Sequence, residues 1–361
     1  MKVTVLGAGN GGQTLAGDLA HRGAEVVLYE HPDFRAAVDA IVAAGNRIEI
    51  SGATTAVGRL SAATTDIEEA TVHGDVVYFL APSFAQQPIL EAALPHFRSG
   101  QTVILLPGNF GSLWLRHRLR ATGRDDIVIG ETETIPYACR LLGPGRSSVW
   151  GIKTSMGVGT LPGSRCEETI RRIAEVFPVP LWPYPNVLKV GLANTNMVIH
   201  CVTMLMNGGR IESDPGGFRF YVDGMTESVC RVMEAMDRER IEVGRACGFE
   251  LVPTGEDIRQ CYGLSGEGSL HEILTTCDVY SRHGVDSPRT MKHRYLTEDV
   301  PYLLVPVAEI GRLVGVPTPV IDSVVTMAEA TAGAAYRADG RSLASLGLDG
   351  MSKDDILAYV A

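Results

Sequence analysis

Residues 1–30 read MKVTVLGAGNGGQTLAGDLAHRGAEVVLYE, and the fold of the first half of the chain turns on them. Lys2 to Leu6 is a short Val-rich run suited to a buried strand, and a helical pattern follows it. Between the two, Gly7, Gly9 and Gly12 give G-x-G-x-x-G, with Asn10 and Gly11 completing the loop. Each glycine has its own duty: Gly7 permits a tight turn, Gly9 lets backbone approach a pyrophosphate, and Gly12 lets the helix pack close to the strand. The helix start then offers amides and a partial positive charge to phosphate. Glu30 ends the next apolar run, at the distance along the chain needed to hold a ribose 2′-hydroxyl. A dinucleotide site is therefore expected on these residues. Glu30 repels a 2′-phosphate while Arg35, just beyond, could counter that repulsion, so NAD(H) is favoured and NADP(H) is the alternative.

Working outward, AEVVLYE, DVVYFLAP, QTVILLPG, DIVIGET and SSVWGIKT alternate with helix-like stretches as far as about Pro180. Val- and Ile-rich runs in that alternation indicate a mostly parallel sheet covered by helices. The Pro-rich stretch VFPVPLWPYPN then punctuates the chain, and long amphipathic patterns such as ESVCRVMEAMDRERIEVGRACG follow. An α/β Rossmann domain over 1–185 and an all-α domain over 186–361 are expected. At 361 residues, two domains are also what core size alone suggests.

The composition, with 45% apolar and 20% charged residues, is that of a globular enzyme. A formal net charge of -10 leaves no basic footprint for nucleic acid, so anionic ligands must be met by individually placed groups. The seven cysteines lack any CxxC spacing, which points to free thiols in a reducing compartment and to no metal site. No apolar run reaches membrane-spanning length, and the first strand begins too early for a signal peptide. The expectation is a cytoplasmic protein without membrane partners.

A second group of residues lies far from the first. NVLKVGLANTNMVIHCVTMLMNGGRIE reads as one helix, with Asn196 and His200 four apart and so on one face. In KHRYLTEDVPYLLVPVAEIGRL, Arg294 stands just before a helix that Thr297 would cap, with Glu298 and Asp299 in its first turn and a kink at Pro306. Taken alone, His200 reads as a packed core histidine, Asp299 as a helix-terminal charge and Arg294 as a surface ion-pair partner. Pro82 and Ser83 follow a strand, where such sheets bind ligands, and Cys139 and Arg140 either line the cofactor site or close the sheet.

The blocks GAGNGG at 7–12, GETETIPYACR at 130–140, LANTNMVIH at 192–200, YVDGMTESV at 221–229, DRERI at 237–241, RYLTEDVP at 294–301 and VPTPVID at 316–322 together resemble the opine dehydrogenase family. That family includes octopine, nopaline and bacterial N-(1-carboxyethyl)norvaline dehydrogenases, and the resemblance is strongest to the bacterial type. It implies a Rossmann domain joined to a helical domain like that of 6-phosphogluconate dehydrogenase, with the active site between them. The implied reaction joins the amino group of an amino acid to a 2-oxo acid such as pyruvate, giving a secondary-amine dicarboxylate. The family's catalytic histidine falls on His200, its partner aspartate on Asp299 and its substrate-binding arginine on Arg294, with Asn196 beside the substrate. Gly7, Gly9, Asn10, Gly11, Gly12, Glu30, Pro82 and Cys139 are expected to hold the cofactor, and the assembly is expected to be a homodimer. Cys201 is a departure, because proline often follows the histidine in relatives.

The roles are chemically sensible. An imine must be protonated before it accepts hydride readily, which suits a histidine, and an arginine can hold a carboxylate with two parallel bonds. Two other readings compete. One is a 2-hydroxy-acid, glycerol-3-phosphate or ketopantoate type dehydrogenase of the same architecture. Several of those use a lysine and an asparagine one helical turn apart, whereas Lys189 and Asn194 are separated by about 140° of helical rotation. The other is a non-catalytic NAD-binding sensor, against which the set of His200, Arg294 and Asp299 speaks.

Overall fold

The apolar runs at the start of the chain become strands with both faces covered. The computed structural model describes residues 1–281 and 285–361. The chain divides into two units, Met1–Val190 with Val360–Ala361, and Gly191–Tyr359.

In the first unit the strands are β1 (Lys2–Leu6), β2 (Glu25–Tyr29), β3 (Arg47–Gly52), β4 (Ala56–Arg59), β5 (Ala62–Thr64), β6 (Val76–Phe79), β7 (Thr102–Leu105), β8 (Val128–Thr132), β9 (Tyr137–Gly143), β10 (Arg146–Ile152), β11 (Met156–Leu161) and β12 (Leu181–Pro183). The main sheet has the order β12-β11-β8-β7-β6-β1-β2-β5 and is parallel except where β8 meets β11. Every residue of β6, β7 and β8 is buried, as a sheet covered on both faces requires. The chain leaves β1 for β2 on one side and reaches β6 on the other, so the order reverses between β1 and β6. That reversal is where open α/β sheets bind ligands.

SSVWGIKT does not join this sheet. It forms β10 of a second, four-stranded sheet of order β4-β3-β10-β9. The reason lies in its pattern. β3, β4 and β10 bury alternate residues, the mark of a sheet covered on one face only. The covered face lies on the helix Asn10–His21, where a Cβ on Gly17 would stand 2.6 Å from the Ile48 side chain and one on Gly58 would run into the Gly17 carbonyl.

The second unit is helical. NVLKVGLANTNMVIHCVTMLMNGGRIE is three helices rather than one, Val187–Ala193, Asn196–Met206 and Gly208–Ser213. Asparagines make both breaks. The Asn194 side-chain oxygen accepts the Asn196 N–H at 2.9 Å, and the Asn207 side chain donates to the Thr203 and Gly224 carbonyls at 2.9 and 2.8 Å. The long helix Glu227–Ala246 carries a buried ion pair within its own turns, Arg240 to Asp237 at 2.8 Å, that ties it to its neighbours. Arg240 also donates to the Leu192 and Val252 carbonyls, and Asp237 accepts from the Thr254 N–H at 2.7 Å. Among the described residues no helix is long and apolar enough to cross a membrane, and no cluster of candidate metal ligands is found.

Gly58→Ala should lower unfolding free energy by about 1–3 kcal/mol, because backbone and not a movable side chain blocks the new methyl. Gly143, around which an added Cβ meets nothing within 4 Å, supplies the control. Urea titrations should separate the two variants, and equal midpoints would contradict the packing argument.

Candidate active site

The loop after β1 sits at the reversal of the main sheet. Gly7 has a φ of +106°, and an added Cβ would press on Leu80 and Ala81, which lead from β6 to Pro82. A Cβ on Gly12 would collide with the Gly7 carbonyl, whereas one on Gly9 would meet nothing within 4 Å. The loop is thus tight at its two ends and open in the middle. The helix Asn10–His21 has no side-chain cap and no acid in its first turn, so neither competes with an anion for its leading amides. Glu30 is drawn to the same loop, its carboxylate accepting from the Ala8 and His31 N–H groups at 2.8 Å each. Arg35, on which a 2′-phosphate would depend, pairs with Asp39 at 3.2 Å. These residues fit a dinucleotide.

Asn10 and Cys139 also meet here, through contacts within the protein. The Asn10 side-chain oxygen accepts the Leu141 N–H at 2.9 Å, and the Cys139 thiol donates to the Asn10 carbonyl at 3.6 Å. Burial pushes that thiol up, away from nucleophilic chemistry. Arg140 is exposed on the same strand. Ser83 accepts from the Asn109 side chain at 2.8 Å. Asn109 and Phe110 both adopt left-handed φ values, 54° and 64°, where β7 gives way to the next helix. Gln13 escaped the sequence reading. Its buried amide donates to the Ala8 carbonyl at 2.7 Å and accepts the Gly145 N–H at 2.9 Å, tying the glycine loop to the second sheet.

In the second unit the structure brings His200 and Asp299 together across 99 residues of sequence. Nδ1 of His200 lies 2.7 Å from the Asp299 carboxylate, with 8% of the histidine and 5% of the aspartate exposed. A carboxylate so placed accepts from Nδ1–H, which leaves Nε2 directed away from the acid. Nε2 lies 3.0 Å from the Tyr221 hydroxyl, which lies 3.0 Å from the Tyr295 hydroxyl. The Tyr295 ring stacks on the imidazole with centroids 3.9 Å apart. Both tyrosines stood in the blocks that carried the family resemblance, but nothing in their spacing assigned them a role. Asn196 begins the helix that carries His200, one turn earlier. Cys201 donates from a buried thiol to the Tyr295 carbonyl at 3.4 Å, so it ties two segments of the site together.

The segment bearing Asp299 differs from its expected form. Arg294–Thr297 is a short helix capped by the His293 side chain, and Thr297 is its last residue rather than an N-cap. A π-helical stretch, Val300–Leu304, then leads into the helix Val305–Val314. Pro306 does not kink a helix interior as expected: the π-helical stretch ends before it and it lies in the first turn of Val305–Val314, where a missing N–H is tolerated. Arg294 opens the short helix. Its side chain is 54% exposed, 3.8 Å from Glu298, with the guanidinium 5.4 Å from the Tyr295 ring centroid.

The openness at Gly9 separates binding from folding. Gly9→Ala should retain wild-type stability yet weaken NADH binding about tenfold, read by quenching of protein fluorescence, whereas Gly12→Ala should unfold at lower denaturant. Unchanged affinity in Gly9→Ala would remove the pyrophosphate from this loop.

Comparison with known proteins agrees with this architecture. Residues 183–332 match the family described as NAD/NADP octopine/nopaline dehydrogenase, alpha-helical domain, and residues 2–108 match the N-terminus of NAD-dependent glycerol-3-phosphate dehydrogenase. An opine dehydrogenase of Arthrobacter sp. (strain 1C) is 32% identical over 99% of this chain and 98% of its own. A vitopine synthase of Allorhizobium ampelinum is 30% identical over 97% of this chain and 96% of its own. An octopine dehydrogenase solved with NADH and L-arginine superposes with a TM-score of 0.81 at 21% identity, covering 99% of this chain and 98% of that one. With the glycine loop in one unit, a helical second unit and full-length similarity at this level, the chain belongs to the opine dehydrogenase family.

Proposed function

We propose that this protein is an NAD(H)-dependent opine dehydrogenase. It condenses the amino group of an amino acid with a 2-oxo acid, pyruvate in the first instance, and reduces the product to a secondary-amine dicarboxylate. The observation that carries the reading is the buried His200–Asp299 pair, with one imidazole nitrogen committed to the carboxylate and the other turned to the Tyr221 hydroxyl. Imine formation requires protons to be given and taken in turn, and a neutral imine must become an iminium before it is a good electrophile. His200 exchanges those protons, Asp299 fixes its tautomer and supports the imidazolium, and Arg294 holds a substrate carboxylate. Asn196 lies beside the reacting groups. Gly7, Gly9, Asn10, Gly11, Gly12, Glu30, Pro82 and Cys139 form the cofactor's surroundings, and the bound dinucleotide supplies the hydride.

The reading requires NADH oxidation by pyruvate to depend on an added amino acid and to yield a product with a new secondary amine, detectable by mass. His200→Ala should lower kcat by roughly two to four orders of magnitude while NADH still binds. Oxidation by pyruvate or ketopantoate alone, indifferent to any amine, would point instead to a 2-hydroxy-acid dehydrogenase. The absence of turnover with a broad set of amino acids and 2-oxo acids would favour a sensor.

The preference for NADH rests on Glu30, held at the loop by two backbone amides, and on Arg35 being paired with Asp39. Repulsion between the Glu30 carboxylate and a 2′-phosphate of roughly 1–2 kcal/mol would favour NADH over NADPH about tenfold in kcat/KM. Steady-state rates with the two cofactors test this directly, and a preference for NADPH would reverse the assignment.

A further inference from the structure

Neither nitrogen of His200 is exposed to a reactant as the site stands. Nδ1 meets Asp299 at 2.7 Å and Nε2 meets the Tyr221 hydroxyl at 3.0 Å. A proton bound for substrate must therefore pass the phenol, or the phenol must move aside. The surroundings of Tyr221 resist movement. Its ring lies edge-on to Phe220 at 5.2 Å and against Tyr280 at 4.9 Å, its hydroxyl is 3.0 Å from that of Tyr295, and the residue is 8% exposed. The imidazole is equally confined by the stacked Tyr295 ring at 3.9 Å. We propose that Tyr221 is the residue through which His200 exchanges protons with the substrate nitrogen, the hydroxyl relaying each proton to or from Nε2. This extends the opine dehydrogenase reading and depends on it.

The step balances. Tyr221 gives its hydroxyl proton to the imine nitrogen, while the phenol oxygen takes the proton from His200 Nε2. The imine becomes an iminium, the imidazolium becomes a neutral imidazole, and Tyr221 ends as the phenol it began as. No electrons leave the substrate or the protein. Burial pushes the Tyr221 phenol well above its usual range, so a free phenolate does not accumulate and the two transfers are coupled. Among the described residues, titratable or charged groups near the imidazole include Asp299, Tyr295 with His293 and Arg294 against its ring, Tyr280 against the Tyr221 ring, and the thiol of Cys201. The thiol's own proton is held by burial, and it points to the Tyr295 carbonyl.

Two readouts test the relay, one of them independent of turnover. In the full-length protein labelled with 15N-histidine, the His200 Nε2 resonance is assigned by its loss in His200→Gln. It should shift in Tyr221→Phe and shift less in Tyr295→Phe, which keeps the stacked ring but loses one hydroxyl. An Nε2 resonance that stays put in Tyr221→Phe would overturn the proposal, because the hydrogen bond would not exist. In the amine-dependent reaction, the wild-type rate across mixtures of H2O and D2O should curve, as two protons moving together require. Tyr221→Phe should lower kcat about 10- to 100-fold with little change in the amino-acid KM and should straighten that dependence. A linear dependence in the wild type, or an unchanged kcat in Tyr221→Phe, would also overturn it. If the wild type shows no amine-dependent oxidation of NADH at all, the opine reading has failed and the relay falls with it, even if the resonance shifts.

Discussion

A carboxylate taken out of water must be answered by donors, and Asp299 is the one on which the arrangement of the second unit's site depends. Its desolvation is tolerable only with a hydrogen-bond partner of the right geometry, which His200 supplies at 2.7 Å. That requirement fixes the imidazole's tautomer and turns Nε2 toward Tyr221. The Tyr295 stack then fixes the plane of the ring. Asp299 immediately precedes the π-helical stretch, so an irregular turn within a helical segment stands beside the buried acid, a common association at functional sites.

The first unit solves a different problem with little charge. In an acidic chain a dinucleotide's phosphates would be met by backbone amides rather than by a basic patch. Gly7 and Gly12 allow strand and helix to approach closely enough for the helix amides to face the open space at Gly9. The second sheet extends the same device, since Gly17 and Gly58 let it lie directly on the far part of that helix. Gln13 then connects the two, with its amide bonded to the loop on one side and to the turn between β9 and β10 on the other.

What could be read from the sequence follows from how local each signal is. The parallel strands were legible because a strand buried on both faces must be apolar throughout, and the glycine loop because three glycines at fixed spacing have few other uses. The Val and Ile content of SSVWGIKT points to the main sheet, whereas its alternation, the stronger signal, belongs to a sheet covered on one face. The helix around His200 was read as continuous because asparagines fit a helical period, while their side chains in fact take the backbone's hydrogen bonds at Asn194 and Asn207. Tyr221 and Tyr295 were beyond reach by periodicity, since their hydroxyls acquire meaning only when segments 74 residues apart are brought to 3.0 Å. Local physics could not pair His200 with Asp299, because 99 residues separate them, whereas the family resemblance, carried by blocks far apart in the chain, points to both.

The contrast between His200 and Arg294 bears on how a substrate is taken up. The imidazole, its acid and both tyrosines are buried and mutually hydrogen-bonded, so their geometry is set before any ligand arrives, as acid–base chemistry demands. Arg294 is held loosely by comparison, with more than half of its side chain exposed and its nearest acidic oxygen, on Glu298, at 3.8 Å. An ion pair of that length, open to solvent on the arginine side, is worth no more than about 1 kcal/mol. A carboxylate offering two parallel hydrogen bonds to a guanidinium makes a stronger contact than that. Tyr295 connects the two regimes, with its ring stacked on the imidazole and the guanidinium 5.4 Å from its centroid. The exposed guanidinium and the buried, hydrogen-bonded cluster around His200 thus meet at one ring, that of Tyr295.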